Sequence, residues 1–392
     1  MKRSLKRFFA LFLASALLLP LAGCGGESLV PELTEEPLST VSPAPAKPAP
    51  TTTVKRDYHM ETHTIGELAG GIRLLGERTN ITEAGLIAEW ACSGFEMTID
   101  TEGTNLKITV DSTYSAYFKT YVDGEAQSFR AFAGEGNGQE LTAARDIPAG
   151  THVIRVVKDS GANRNGGSCT LTAVSFDGKV VPMDQTPGDL YLEFIGDSIW
   201  NGSGALGTQG SSPTYSEEIS STVATPYRTA MALGADYNVT AQGGIGVVKD
   251  MGGLTAGDLF LRQNSYRDET PYVPRRAPAA VIINLSTNDP TGQPEEFVER
   301  GKALVEEVYA AYGRDVKIVW VHSMFFRNKF AEEIRSIADS FGGEEAGFYV
   351  LEMIHGQNGS GSKETNRHPS SSDHEKNAAR LVPFLQDLLK LG

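Results

Sequence analysis

The stretch LEFIGDS at residues 192–198 determines the expected fold of the second half of the chain. Its first residues form an apolar run, which is typical of a parallel strand buried on both faces. The Gly-Asp-Ser end then falls at the carboxyl edge of a sheet, where open α/β folds bind their ligands. On a turn that opens into a helix, Ser198 can present its hydroxyl and its own N–H to a substrate. Since Gly-Asp-Ser is also common turn chemistry, the triplet alone does not establish a catalytic serine.

Three more short apolar runs follow, and helical patterns lie between them. Strands are predicted at 192–195, 280–285, 318–321 and 348–351. Apolar residues at three- and four-residue spacing predict helices within 297–312 and 330–341, each followed by glycine. Asp373 could cap a last helix that runs to Leu391. This alternation predicts a parallel sheet with helices on both faces, whose strand ends meet at one edge.

The preceding part of the chain has a different periodicity, in which apolar and polar residues alternate. Strands are predicted at 95–100, 106–111, 117–122, 153–157 and 171–176. Turn signals such as Asp123-Gly124 separate them. Many short strands at this spacing predict an antiparallel β-sandwich. Nothing in this half points to catalysis, and we expect it to pack or bind.

The predicted fold class is therefore α/β, with a parallel-sheet α/β/α domain at 186–392 preceded by an antiparallel β-sandwich domain at 58–185. Residues 1–23 have the basic start and short apolar core of a signal peptide. The sequence LAGC that ends at Cys24 resembles a bacterial lipobox, which implies cleavage before Cys24 and lipid on its sulfur. An ordinary secretory signal is the alternative.

Residues 24–57 are rich in Pro, Thr and Ser and are expected to form a disordered, extended tether. Together with the lipobox, the tether predicts an extracytoplasmic protein that is anchored by lipid to the bacterial cell membrane.

The charge and the cysteines restrict the partners. A formal net charge of -14 argues against nucleic acid, whereas a neutral sugar polymer would not be repelled. Besides the lipobox cysteine, the sequence contains only Cys92 and Cys169. They could form a disulfide outside the cell or remain two separately buried thiols. Neither lies among His or Asp residues at metal-ligand spacing, so we predict no metal site and no cofactor.

Serine hydrolysis requires a nucleophile, a base within hydrogen-bond reach and donors aimed at the oxyanion. Ser198 is the candidate nucleophile. The loop QGGIG at 242–246 leaves backbone N–H groups accessible to a ligand, although a plain turn also explains it. The side-chain amide of Asn288 could be another donor, or it could cap the turn ahead of Pro290.

The base must come from seven histidines. His368 lies in the loop before the last helix, and Pro369 restricts it to an extended conformation that suits a side chain held over a cleft. His322 and His355 follow predicted strands and remain alternatives. His374 lies at the start of the last helix and is expected to be structural.

Four blocks in this order resemble those of the SGNH, or GDSL, hydrolase superfamily: Gly196-Asp197-Ser198, Gly244, Asn288 and His368-Pro369. Residues 76–176 are similar to the jelly-roll domain that precedes the SGNH domain in carbohydrate esterase family two. The run IINL at 282–285, before Thr287-Asn288-Asp289, is similar to that family as well, and so is His374 after the run His368-Pro369-Ser370.

This resemblance implies a flavodoxin-like α/β/α hydrolase domain and the removal of O-acetyl groups from polysaccharides or oligosaccharides. It implies Ser198 as the nucleophile and His368 as the base. It also implies that the Ser198 N–H, the Gly244 N–H and the Asn288 amide form the oxyanion hole.

The chain departs from the family pattern at three positions. Ser286 replaces a glycine, and Trp200 replaces a small polar residue. Trp200 could form a stacking wall for a sugar ring or pack against the sandwich. Asn366 occupies the place near the histidine where many members have Asp, and it offers only a neutral acceptor to orient His368.

Two interpretations of Asn366 follow. A backbone carbonyl could orient the imidazole of a Ser–His dyad, or the activity could be weakened. The alternative functions are therefore a catalytically weakened carbohydrate-binding surface lipoprotein, or an esterase that acts on other acyl esters.

Overall fold

The structure of the protein is a computed structural model that describes residues 58–162, 167–207, 216–264, 269–325, 328–356 and 368–391. The described residues pack into one compact unit. The predicted signal peptide and tether, with Cys24, lie outside these ranges. None of the helices within these ranges combines the length and apolar character needed to cross a membrane.

The first part of the described chain is a sandwich of two antiparallel sheets. Its elements are β1 (Glu61–Thr64), α1 (Ile65–Leu68), β2 (Ile72–Leu75), β3 (Asn80–Thr82), β4 (Gly85–Ile87), β5 (Gly94–Thr101), β6 (Thr104–Ser112), β7 (Ala116–Val122), β8 (Glu125–Ala133), β9 (Gly136–Ile147), β10 (Gly150–Lys158), β11 (Cys169–Phe176) and β12 (Lys179–Val181). One sheet has the order β3-β4-β11-β6-β9, with β1 on β11. The other has the order β12-β5-β10-β7-β8, with β2 on β5.

The alternating pattern of the sequence produces the sandwich core. Phe95 and Met97 of β5, and Ile108 and Val110 of β6, are fully buried between the sheets. The five predicted strands correspond to β5, β6, β7, β10 and β11. The prediction missed β8 and β9, which lie at the sheet ends and have largely exposed or half-buried residues. An edge strand needs few apolar side chains and therefore gives a weak pattern.

The second part is a five-stranded parallel sheet with helices around it. Its strands are β13 (Tyr191–Gly196), β14 (Asp236–Ala241), β15 (Ala280–Asn284), β16 (Lys317–His322) and β17 (Phe348–Glu352). Its helices are α2 (Thr225–Leu233), α3 (Ala256–Phe260), α4 (Pro294–Tyr312), α5 (Ala331–Ser340) and α6 (Ser371–Leu389). Short 3₁₀ turns occupy Ser216–Glu218, Ser221–Val223 and Gly343–Ala346.

The strand order β14-β13-β15-β16-β17 is that of a flavodoxin-like sheet. The direction in which successive strands are added to the sheet reverses between β13 and β15. Ligand crevices form at such a switch point. All six residues of β13 are buried, as the apolar run predicts. The turn that carries Ser198 therefore emerges at the switch point. The predicted fold class, a sandwich followed by a parallel-sheet α/β/α layer structure, is confirmed.

The last helix begins differently from the prediction. Ser370, not Asp373, is its N-cap, and the Ser370 hydroxyl accepts a 3.2 Å hydrogen bond from the Asp373 N–H. Asp373 completes a capping box, because its carboxylate accepts from the Ser370 N–H at 3.0 Å. The cap fixes the chain two residues after His368.

A buried ion pair ties the sandwich to the parallel sheet. Arg78 lies between β2 and β3, and its guanidinium is 3.5 Å from the Glu193 carboxylate of β13, with both side chains fully buried. Arg78 also donates to the Phe260 carbonyl at 2.7 Å and stacks 3.7 Å above the Tyr272 ring. Glu193 accepts from Thr240 at 2.8 Å. These partners offset the desolvation of the two charges.

The two cysteines are separate thiols. Cys169 belongs to the sandwich core, and Cys92 belongs to the apolar cluster between the sandwich and the parallel sheet. Burial raises the pKa of the Cys92 thiol to about 12 and that of the Cys169 thiol to about 11. Of the two alternatives, the structure therefore has the separately buried thiols.

Replacing Arg78 by Met should destabilise the fold strongly. The change leaves the Glu193 carboxylate buried without a cation, which costs about 3–5 kcal/mol in the free energy of unfolding. Urea unfolding measures this loss. The control is Arg314→Met, which breaks a pair with Glu306 whose side chains are 67% and 55% exposed and should cost less than about 1 kcal/mol. Equal losses from the two changes would contradict this account of the interface.

Candidate active site

Ser198 and His368 meet at the switch point of the sheet. The Ser198 Oγ lies 2.9 Å from the His368 Nε2, although the two residues are 170 positions apart. Ser198 follows β13, and His368 precedes the cap of α6. The Phe325 ring packs against the His368 imidazole at an interplanar angle of 80°, with the ring centroids 5.1 Å apart. The pairing predicted from the sequence order is present.

The surroundings of His368 favour its neutral form. Burial lowers the pKa of His368 from 6.5 to about 4. Near neutral pH the imidazole is therefore uncharged and can accept a proton from the Ser198 hydroxyl. Asn366, the residue predicted to orient the ring, lies outside the described residues.

The other candidate histidines have different partners. The Nδ1 of His322 contacts the Ser323 Oγ at 2.8 Å, and the Nδ1 of His355 contacts the Ser323 carbonyl at 3.3 Å. His374 is fully buried, and its Nδ1 accepts from the Thr225 N–H at 3.2 Å, which agrees with the structural role expected for it. Among the contacts of the described residues, only His368 of these four histidines reaches Ser198.

The prediction of Trp200 as a substrate wall is wrong. Its side chain is 0% exposed and packs in the cluster that includes Cys92 and Val157 of the sandwich. A side chain without solvent access cannot face a sugar ring in an open cleft. The packing alternative holds, and it also explains Gly196, where an added Cβ would lie 2.4 Å from the Trp200 Cδ1.

The glycine-rich loop approaches the serine as predicted. Gly244 has a φ of +86°, which favours glycine, and a Cβ added at Gly243 would lie 3.8 Å from the Ser198 Cβ. Within the described part of the chain, the Gly244 N–H has no hydrogen-bond acceptor. It is therefore available to a ligand oxygen.

Asp289 holds this loop in place, a role that was not predicted from the sequence. Its buried carboxylate accepts from the N–H groups of Val248 at 2.7 Å, Lys249 at 2.9 Å and Val247 at 3.2 Å. A Cβ at Gly246 would lie 2.2 Å from the Asp289 Oδ1, so the close approach requires glycine there. Asp289 follows Asn288 directly, which was the only signal in the sequence.

The side-chain amide of Asn288 lies beside this loop. Its Nδ2 donates to the Ile245 carbonyl at 2.7 Å and to the Asp197 Oδ2 at 3.2 Å. An oxyanion role would require Asn288 to exchange the longer of these two bonds for a bond to the substrate. Asn288 thus lies at the site, but in this structure both of its amide hydrogens have acceptors.

Asp197 is, after Asp289, the second residue of the site for which no role was predicted from the sequence. It is fully buried, and its Oδ1 accepts from the Ile199 N–H at 2.9 Å. Burial, together with the neighbouring Asp289, raises the pKa of Asp197 from 3.8 to about 7. A shifted carboxyl next to a nucleophile is typical of functional sites.

The described side chains contain no group of three or more His, Cys, Asp or Glu residues that could hold a metal ion. The residues that converge on the site are instead a serine, a neutral imidazole and N–H donors. This arrangement suits acyl transfer through a covalent intermediate.

Comparisons with known proteins agree with this chemistry. Residues 78–195 match the family model described as carbohydrate esterase 2 N-terminal. The cellulase/esterase CelE of Acetivibrio thermocellus is 25% identical over 320 residues, which cover 77% of this chain and 38% of CelE. The acetylxylan esterase/glucomannan deacetylase of Cellvibrio japonicus is 26% identical over 263 residues, 61% of this chain and 70% of that protein. This chain therefore spans well under half the length of CelE.

Solved structures share the fold. An acetyl xylan esterase, Est2A, from Butyrivibrio proteoclasticus superposes with a TM-score of 0.72 at 18% identity, over 84% of this chain and 99% of Est2A. A family two carbohydrate esterase from Clostridium thermocellum, in complex with cellohexaose, gives a TM-score of 0.69 at 23% identity, over 82% and 99% of the chains. The predicted resemblance to family two carbohydrate esterases is confirmed.

Replacing Ser286 by Gly should stabilise the protein. Ser286 has a φ of 149°, a conformation that residues with a Cβ rarely adopt, and it stands where the family pattern has glycine. Relief of strain of about 1–3 kcal/mol exceeds the entropic cost of glycine, about 0.5–1 kcal/mol. Urea unfolding should therefore show a gain of about 1 kcal/mol. In the control Ser336→Gly, inside α5, a loss of about 0.5 kcal/mol is expected; a loss in both variants would refute the strain.

Proposed function

We propose that this chain is a carbohydrate esterase that removes O-acetyl groups from polysaccharides or oligosaccharides through an acyl-enzyme on Ser198. The observation that carries the proposal is the 2.9 Å contact between the Ser198 Oγ and the His368 Nε2. The contact lies at the switch point of a fold shared with family two carbohydrate esterases. The substrate class rests on the names of the relatives, which include an acetylxylan esterase/glucomannan deacetylase and an acetyl xylan esterase.

The first half of the reaction forms the acetyl-enzyme. His368 takes the Ser198 proton on its Nε2 while the Oγ attacks the acetyl carbonyl carbon. The N–H groups of Ser198 and Gly244, with the Asn288 amide, stabilise the oxyanion, and each such donor contributes on the order of 100-fold in rate. The tetrahedral intermediate collapses when the imidazolium of His368 protonates the departing sugar oxygen.

The second half repeats these steps with water. His368 deprotonates a water molecule that attacks the acetyl carbon, and the Ser198 oxygen leaves with the proton from the imidazolium. Acetate is released and the enzyme returns to its starting state. The neutral resting form of His368 supplies the base in both halves.

We also propose that the protein is a lipoprotein, anchored outside the cytoplasm through a lipid on Cys24. The basic start, the apolar core and the LAGC sequence in this order support the proposal. A polar tether would then hold the esterase away from the membrane, where a large glycan can reach it. Labelled fatty acid should be incorporated by the wild-type protein and not by a Cys24→Ala variant.

Ser198→Ala should abolish the esterase activity. The wild-type protein should release acetate from 4-nitrophenyl acetate and acetylated oligosaccharides, and the variant should fall to the background rate, because no alkoxide can form. A panel of acetylated xylan, glucomannan and peptidoglycan identifies the substrate. Equal rates for the two proteins would refute the proposal, and saccharide binding without acetate release would favour a binding lipoprotein instead.

The acid limb of kcat/KM should lie near pH 4. A base with its pKa lowered to about 4 stays neutral at pH 5 and is protonated as the pH falls through 4, so activity is lost only there. Phe325→Ala opens the ring to water and should move the limb up toward pH 6.5, the ordinary value.

The control for this pH profile is Phe384→Ala. Phe384 packs on Tyr349, with the ring centroids 5.9 Å apart, and has no contact with His368 among the described residues. Its removal should leave the acid limb in place. A wild-type limb near pH 6.5 that Phe325→Ala does not move would show that burial does not set the basicity of His368.

A further inference from the structure

Asp197 connects the two parts of the site that act on the acyl group. It directly precedes the proposed nucleophile, and its Oδ1 accepts the Ile199 N–H at 2.9 Å, within the turn that carries Ser198. Its Oδ2 accepts from the Asn288 Nδ2 at 3.2 Å. No part of the Asp197 side chain reaches solvent. A single buried carboxyl therefore contacts both the nucleophile turn and a proposed oxyanion donor.

The orientation of the Asn288 amide follows from its other partner. The Nδ2 lies 2.7 Å from the Ile245 carbonyl, which can only accept a hydrogen bond. The nitrogen, and not the oxygen, therefore faces Asp197. An amide nitrogen has two hydrogens, and Ile245 and Asp197 take one each. A substrate oxyanion must compete with Asp197 for the second hydrogen.

The charge on Asp197 decides this competition. An ionised carboxylate is the stronger acceptor and holds the Asn288 hydrogen more tightly. Its negative charge also opposes the charge that develops on the substrate oxygen in a site of low dielectric. A neutral carboxyl is a weaker acceptor and carries no opposing charge.

The groups that face Asp197 come from its own turn, from the segment after β15 and from the segment before α5. In its own turn, the Ile199 N–H donates to the carboxyl and favours the ionised form. The Asp289 carboxylate after β15 favours the neutral form, whereas the Thr287 hydroxyl and the Lys329 ammonium favour the ionised form. Burial outweighs these and, with Asp289, places the pKa of Asp197 at about 7. Both forms are therefore present near neutral pH.

We propose that Asp197 is a positioning residue that orients Asn288 and, through its protonation state, sets how readily Asn288 donates to the oxyanion. The esterase is fastest with Asp197 neutral. The rate consequence rests on the proposed function, whereas the link between Asp197 and the Asn288 amide does not.

The kinetic experiment compares wild type with Asp197→Asn in full-length protein, as acetate release from an acetylated oligosaccharide between pH 5 and 9. In the wild type, kcat should fall at least about tenfold as Asp197 ionises above pH 7, with KM unchanged, because the loss is in oxyanion stabilisation. Asp197→Asn cannot ionise and should give a flat kcat from pH 6 to 9. A wild-type alkaline limb that persists in Asp197→Asn would overturn the proposal.

The matched control is Asp159→Asn. Asp159 is also a buried carboxyl with a pKa raised by burial, but it bonds to Ser220, Thr222 and Arg130, away from Asn288. This variant should keep the alkaline limb of the wild type. Loss of the limb in both variants would mean that a general effect of buried carboxyls causes it, which also overturns the proposal.

A second measurement needs neither activity nor a stable variant. In wild-type protein labelled with ¹⁵N on asparagine, the Asn288 side-chain amide signal, identified by its loss in Asn288→Asp, should move with pH with a midpoint near 7. If the Asp197→Asn variant folds, as judged by circular dichroism, its Asn288 signal should not move with pH. A signal that does not respond to pH in the wild type would overturn the proposal. An inactive wild type with a responsive amide would refute the esterase function alone.

Discussion

The charge of Glu193 in the centre of the parallel sheet is the constraint on which the rest of the structure depends. A carboxylate in the buried strand β13 is tolerated because Arg78 reaches it from the sandwich and because Asn238 and Thr240 donate to it. Arg78 is itself held by backbone carbonyls and an aromatic ring. The strand that leads to Ser198 is therefore fixed at its middle by a residue from the other half of the described chain.

At the end of that strand, too, buried side chains hold backbone groups in place. Asp289 accepts from three N–H groups of the glycine-rich loop, and Asp197 accepts from the Ile199 N–H in the turn of Ser198. The proposed oxyanion donors are backbone and amide N–H groups, and two buried carboxyl groups contact the segments that carry them. Such preorganisation removes the need to reorganise donors during the reaction.

The sequence was sufficient to predict the elements with strong periodicity and the order of the chemical groups. The apolar run before Ser198 predicted a buried strand at the sheet's switch point, and His368 met Ser198 as expected. The prediction missed β14 and α2, and it missed the edge strands β8 and β9, whose polar sequences give little pattern. Asp373 was predicted as the cap, but Ser370 is the N-cap, and Asp373 is the acidic residue at the third helical position of the capping box.

Side-chain surroundings were harder to predict than positions along the chain. Trp200 follows the serine closely and is large and aromatic, so the sequence could not decide between a cleft wall and the core. The raised pKa of Asp197 depends on the burial of its turn and on the opposing charges of Asp289 and Lys329. No local sequence pattern contains that information, because the three residues meet only after folding.

The packing of Trp200 has a consequence for how this architecture can change in evolution. The indole packs against Gly196, just before the turn of Ser198, and against residues of the sandwich, so the sandwich is a structural part of the site around Ser198. It cannot be lost, exchanged or shuffled as an independent module without exposing an aromatic ring and a buried arginine–glutamate pair at once. A lineage that loses the sandwich would have to replace both sets of residues together. We therefore expect the sandwich and the parallel-sheet part to be retained together.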